Sequence, residues 1–124
     1  MPALEPLHGL RVVADPAALD GAHWHGSNVT ALRLAPDDAL AIGAETVDID
    51  DEHAIVEPEV GYAGAWLPAD VVARHVEWPL PAERPALAQG FVATVPAKVW
   101  LPDDGEALLL TAAAYADELA GRLR

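Results

Sequence analysis

Apolar and polar positions along this chain alternate with two periods, and the changes of period mark out its elements. Residues 29–34 and 39–42 are apolar-rich runs on either side of Ala35-Pro36-Asp37-Asp38. There proline pre-sets the backbone angle and aspartate bonds its own turn, so the pair predicts a hairpin. A β-rich stretch follows at 54–67, with a bend at Pro58, which has no N–H for a strand ladder, and breaks at Gly61 and Gly64. Residues 68–77 carry proline in the first turn, Asp70 close behind it, and Val72 and Val76 one turn apart, which predicts a short helix ended by Trp78-Pro79. Pro81 and Pro85 make 80–85 an extended connector. Residues 90–101 are β-rich, Pro102-Asp103-Asp104-Gly105 supplies a turn, and 107–110 returns as a strand, a second hairpin. Thr111 is placed to cap a final helix in which Tyr115, Leu119 and Leu123 recur every four residues and Glu118 pairs with Arg122.

This order of elements predicts an α+β fold, a mainly antiparallel sheet with two helices on one face. The crossover through 68–77 is expected to set two strands parallel and right-handed, as in a ferredoxin-like split βαβ unit. Residues 1–28 are rich in Pro, Gly and Asp with one apolar patch at 10–13, and are expected to form an N-terminal arm to a single domain over 29–124. The stretch 45–53 holds five acids in nine residues and reads as an exposed loop.

Composition narrows the function classes. With 52 % apolar and 22 % charged residues in 124, the chain can offset its ordering entropy by burial, so it is expected to fold as one domain. A formal charge of -13, from 20 acidic against 7 basic residues, repels nucleic acid and anionic lipid surfaces. With no cysteine, thiolate catalysis and disulfides are excluded. The first residues carry an acid and two prolines where a secretory signal needs a basic end and an apolar run. The longest apolar tract, 86–101, is interrupted by Gln89, Pro96 and Lys98 and is too short for a bilayer. A cytoplasmic protein is expected.

The inventory of reactive groups is thin. His23 and His25 would share one face of an extended segment, and His53 or one of Asp48, Asp50 and Asp51 would have to complete a metal site. Two surface histidines are the simpler explanation. The carboxylates Asp48, Asp50, Asp51 and Glu52 lack the glycine and glutamate spacing of a calcium loop. Ser27, Thr46, Thr94 and Thr111 have no histidine beside them in sequence, and Gly61 and Gly64 belong to no phosphate-binding loop. No catalytic residue and no metal are therefore expected, and no cofactor-binding residue is identified. Trp24, Trp66, Trp78 and Trp100 stand beside a single phenylalanine. Trp66 and Trp100, on predicted strands, are expected to help fill the core, the alternative being a role in a subunit interface, where such residues are over-represented. The interface candidates are Trp66, Trp78 and Tyr115, with Trp78, at a helix end before Pro79, foremost.

The residues His53-Ala-Ile-Val-Glu, Gly61-Tyr-Ala-Gly-Ala-Trp-Leu, the helix through Ala73-Arg74-His75, Trp78-Pro79-Leu80 and the last helix at Tyr115-Ala116 resemble the gamma subunit family of heterotetrameric sarcosine oxidase. That family lies within the aminomethyltransferase-like folate-binding group. The resemblance covers about the last two thirds of the chain, and Ala114 stands where the family has a serine. It implies a small accessory subunit, not catalytic alone, in a heteromeric complex that oxidises sarcosine or a related N-methyl amine in one-carbon metabolism. It also implies that flavin, NAD and tetrahydrofolate sit on larger partner subunits. The alternative is a free-standing folate or small-ligand binding module, and a third reading is a small metal enzyme using His23, His25 and His53.

Overall fold

In a computed structural model, which describes residues 3–123, seven strands and three short α-helices follow one another along the chain. They are β1 (Glu5–Val13), α1 (Pro16–Asp20), β2 (His23–Ala35), β3 (Asp38–Asp48), β4 (Ile55–Leu67), α2 (Ala69–Ala73), β5 (Ala86–Val92), β6 (Val95–Leu101), β7 (Ala107–Ala112), a 3-10 turn (Ala113–Tyr115) and α3 (Ala116–Arg122). The recorded strand pairs are antiparallel, and the chain is α+β. It divides into two units, Leu7–Val60 and a second made of 61–124 with the first six residues.

In the unit Leu7–Val60, β3 lies between β2 and β1. Alternation along the strands sends Leu10 and Val12 of β1 and Ala39, Ala41 and Ala44 of β3 to one face, where Leu19 of α1 covers them and Trp24, Val29 and Val47 close the sides. On the other face Leu32 and Leu40 are a buried cross-strand pair. Arg11, opposite Leu40, forks onto Asp38 with Nε–Oδ1 2.6 Å and Nη2–Oδ2 2.7 Å, and its Nη1 reaches Glu59 Oε1 at 3.2 Å. Planar, bidentate pairing of this kind holds geometry as well as charge.

The segment expected to be an arm is therefore built into this unit as β1, α1 and the start of β2. Its glycines mark close approach: a Cβ on Gly9 would lie 2.1 Å from the Ala41 carbonyl oxygen, and one on Gly26 2.0 Å from that of Gly43. The hairpin across Pro36-Asp37 forms as expected, with longer arms than the apolar runs indicated. The acidic stretch is only partly loop. Strand β3 continues to Asp48 because Val47 pairs with Trp24 and both pack on the apolar cluster.

In the second unit the strand order is β4-β7-β6-β5. Ala65 and Leu67, Val92, Val95, Val99 and Leu101, and Ala107 and Leu109 face one side, and Val72 of α2 with Leu119 and Leu123 of α3 seals that side. Two helices on one face, with the Leu119–Leu123 stripe inward, is the expected arrangement. Burying each such leucine contributes about 1.5–3 kcal/mol.

Four local expectations are corrected here. The crossover from β4 through α2 does not yield a parallel pair: β7 and β6 lie between β4 and β5, and three antiparallel steps leave β5 antiparallel to β4. The run expected as one strand over 90–101 is two, since Ala93 (φ 49) and Thr94 (φ 66) make a tight turn and Val92 pairs with Val95. Helix α2 stops at Ala73, because the His75 carbonyl takes the Ala93 N–H at 2.7 Å and draws the chain towards that turn. Thr111, moreover, does not cap the last helix. It remains in β7, buried, and its hydroxyl donates to the Pro96 carbonyl at 2.7 Å, while a 3-10 turn precedes α3. Glu118 and Arg122 do pair, at 2.5 Å.

Candidate functional site

The side of the second unit's sheet opposite α2 and α3 carries its most distinctive surface. Because residues alternate across a strand, sending Ala65 and Leu67 to the helix side sends Tyr62, Gly64 and Trp66 to the other. The register then sets three rows across the sheet. One joins Tyr62 and Ala112 on β4 and β7 with Pro96 and Phe91 on β6 and β5, the next Gly64, Leu110, Lys98 and Gln89, and the last Trp66, Leu108, Trp100 and Leu87.

The middle row is the low one. Glycine at 64 contributes no side chain, and Leu110 is fully buried there. A cavity of about 310 Å³ opens over this row, lined by Tyr62, Phe91, Pro96, Lys98, Leu110 and Tyr115 among others. Lys98 Nζ donates to Gln89 Oε1 at 2.8 Å, across β6 and β5. No carboxylate is among the described lining residues, although the chain carries 20. Phe91 is 62 % exposed and Tyr115 43 %, an unusual display of aromatic surface beside one ammonium group.

Trp66 is 45 % exposed and Trp100 half-buried, so neither fills the core as expected. The alternation that puts Ala65 and Leu67 of β4, and Val99 and Leu101 of β6, inward leaves the two indoles no other place than the opposite face. Trp78, in contrast, is half-buried against the helix-side core, with its indole over Gly90 and Nε1 donating to the Phe91 carbonyl at 2.9 Å. It ties the connector after α2 to β5, which among the described residues of its unit pairs with β6. Trp66 and Tyr115 thus share the cavity side of the sheet, and Trp78 sits on the other.

The histidines do not converge. His25 Nε2 lies 2.7 Å from Asp48 Oδ2, and His53 approaches Glu52 at 3.4 Å. Among the described residues no group of three or more His, Asp or Glu side chains is arranged to hold a metal ion. Asp51 instead serves the backbone: Oδ2 accepts the Asp15 N–H and Oδ1 the His53 N–H, both at 2.9 Å. These two bonds, first that from Asp15, hold its carboxyl below the ordinary 3.8. Thr94 donates to its neighbouring Ala93 carbonyl and accepts from Arg122. No described helix is long and apolar enough to cross a membrane.

The cavity escaped the linear sequence, since its residues span 62–115 and meet only through the register. The signal that could have found it is parity, because Tyr62, Gly64 and Trp66 and then Gln89 and Phe91 fall on alternate positions.

No protein-family model matches the chain, and no curated protein does. Among solved structures it is similar to a chain of the heterotetrameric sarcosine oxidase from Corynebacterium sp. U-96 in complex with pyrrole 2-carboxylate. The TM-score is 0.63 at 12 % identity, over 97 % of this chain and 79 % of that one. At this identity the likeness is one of fold.

Proposed function

We propose that this chain is a non-catalytic, gamma-like subunit of a heteromeric sarcosine oxidase or a related N-methyl amine oxidase complex. The observation that carries this reading is the fold likeness over 97 % of the chain to a chain of a heterotetrameric oxidase. The exposed aromatic surface of the second unit supports it, since tryptophan and tyrosine anchors dominate subunit interfaces. On this reading Trp66 and Tyr115 meet a larger subunit, and Trp78 holds the adjoining strand in place. Flavin, NAD and tetrahydrofolate are then carried by the partners, and this chain contributes buried surface rather than reacting groups.

Co-expression with candidate large subunits, followed by size-exclusion chromatography, tests the proposal. The wild-type chain is expected to co-elute with them and Trp66→Ala to weaken or abolish co-elution while remaining folded. A wild-type chain that stays alone with every candidate would overturn the proposal.

A further inference from the structure

From the edge of the second unit's sheet, we infer that this chain pairs with a second copy of itself, β5 against β5 and antiparallel, so that their two sheets become one. The pairing does not depend on the chain's being an oxidase subunit. Strand β5 ends the order β4-β7-β6-β5 and has β6 on one side only among the described residues. Which of its groups point past that edge follows from two observations at Phe91. It lies opposite Pro96, which has no N–H to give, and its carbonyl accepts Trp78 Nε1. Phe91 therefore turns its backbone groups away from β6. Because antiparallel strands alternate inward- and outward-bonding residues, Gln89 and Leu87 turn theirs outward too. Trp78 and Leu80 pack against the helix-side core and draw the connector beneath the sheet. The edge thus presents the N–H and C=O of Leu87, Gln89 and Phe91 to a further strand.

The strand's own sequence says that the occupant is a second copy. In an isologous antiparallel pair each side chain stands across from, or diagonal to, its own kind, so a charge would face the same charge. Ala86–Val92 carries no charged residue and no histidine, and the one other strand without either, β7, is enclosed between β4 and β6. Sheets usually blunt an edge with bulges or charge, and β2, which pairs with β3 alone in its unit's order, shows both: three register shifts, and His23, His25 and Arg33. Strand β5 shows neither, since its register with β6 runs unbroken from Ala86 to Val92. A two-fold axis at Gln89 sets Gln89 against itself and Leu87 against the Phe91 of the second copy. All three residues then exchange both backbone groups, the Phe91 carbonyl using its second lone pair. The Phe91 ring, 62 % exposed in one chain, gains an aliphatic cross-strand neighbour.

The test is sedimentation equilibrium of the full chain from micromolar to millimolar concentration. The mass is expected to rise from that of one chain towards that of two. Gln89→Pro removes an outward N–H, a change an edge strand tolerates, and should weaken the dimer at least about tenfold with the fold retained by circular dichroism. Gln89→Lys, which sets like charges across the axis, should do the same and decides the matter if the proline variant does not fold. The chain has no cysteine, so Gln89→Cys can form a disulfide only with its own copy. Bonded antiparallel partners stand about 5.5 Å apart at Cα, within disulfide reach, so copper phenanthroline should crosslink it. Asp104→Cys, in the exposed turn after β6, should stay uncrosslinked. A wild-type chain that stays monomeric throughout, or a dimer that Gln89→Lys leaves unchanged, would overturn the pairing. The measurement uses this chain alone, so its failure and a failure to co-elute with larger subunits are separate results.

Discussion

Gly90→Ala is the sharpest probe of how the second unit is held together. A Cβ on Gly90 would lie 2.9 Å from Trp78 Cε2 and 3.0 Å from Cζ2 and Nε1, so the indole must retreat. Overfilling of this kind costs about 1–3 kcal/mol. The retreat also pulls Nε1 from the Phe91 carbonyl, now 2.9 Å away, at a further ~0.5–1.5 kcal/mol. Replacing glycine by alanine inside a strand returns about 0.5–1 kcal/mol through the unfolded chain. The net loss should be about 2 kcal/mol. Urea denaturation followed by circular dichroism measures it, and the Trp78→Ala background makes the test specific. There the added methyl meets no ring, and Gly90→Ala should be neutral or slightly stabilising, a coupling of about 2 kcal/mol or more between neighbouring sites. An equal loss with and without the indole would refute the stacking and the role given to Trp78.

Other substitutions follow from contacts in the two units. Arg11→Met leaves the Asp38 and Glu59 carboxylates, with side chains 22 % and 23 % exposed, without the guanidinium between them. About 2–3 kcal/mol should be lost in denaturant unfolding, with Arg11→Lys intermediate because it keeps the charge but not the fork. Asp51→Asn should lower stability at neutral pH. A carboxyl held below 3.8 in the fold stabilises it above that pH and loses the effect as pH falls through the folded value. The gap between wild type and Asp51→Asn, followed by thermal unfolding across acid pH, should therefore close below 3.8, and a constant gap would count against the two backbone bonds. At the turn, Ala93→Asn with Thr94→Gly replaces two residues at φ 49 and 66 by the pair such turns favour. It should raise stability by about 1 kcal/mol, and a lower Tm would argue against the turn geometry.

What could be read from the sequence was what short-range periodicity and turn chemistry encode. The Pro36-Asp37 and Pro102-to-Gly105 turns, the buried Leu119–Leu123 stripe and the α+β class all follow from residues close together in the chain. The glycines of the first 28 residues misled, because glycine serves both loose chain and close strand contact, and at Gly9 and Gly26 it is contact that requires it. The turn at Ala93-Thr94 carries no glycine or asparagine, so its backbone angles are imposed by surroundings: the His75 carbonyl takes one N–H, and Arg122 bonds the Ala93 carbonyl. Strand order was equally hidden. Nothing local tells β5 to pair beyond β6 rather than beside β4, and on that choice depends whether Tyr62, Lys98 and Tyr115 surround one cavity. Trp66 shows the same limit in one residue, its side of the sheet fixed by parity and its exposure by what packs on that side.

The most direct measurement of the proposed role is to purify the tagged full-length chain from its own cells and record its mass and visible absorbance together. A heteromeric complex carrying flavin absorbance that co-migrates with the chain is the predicted result. Recovery of the chain alone and colourless, from cells in which the oxidase is active, would contradict it.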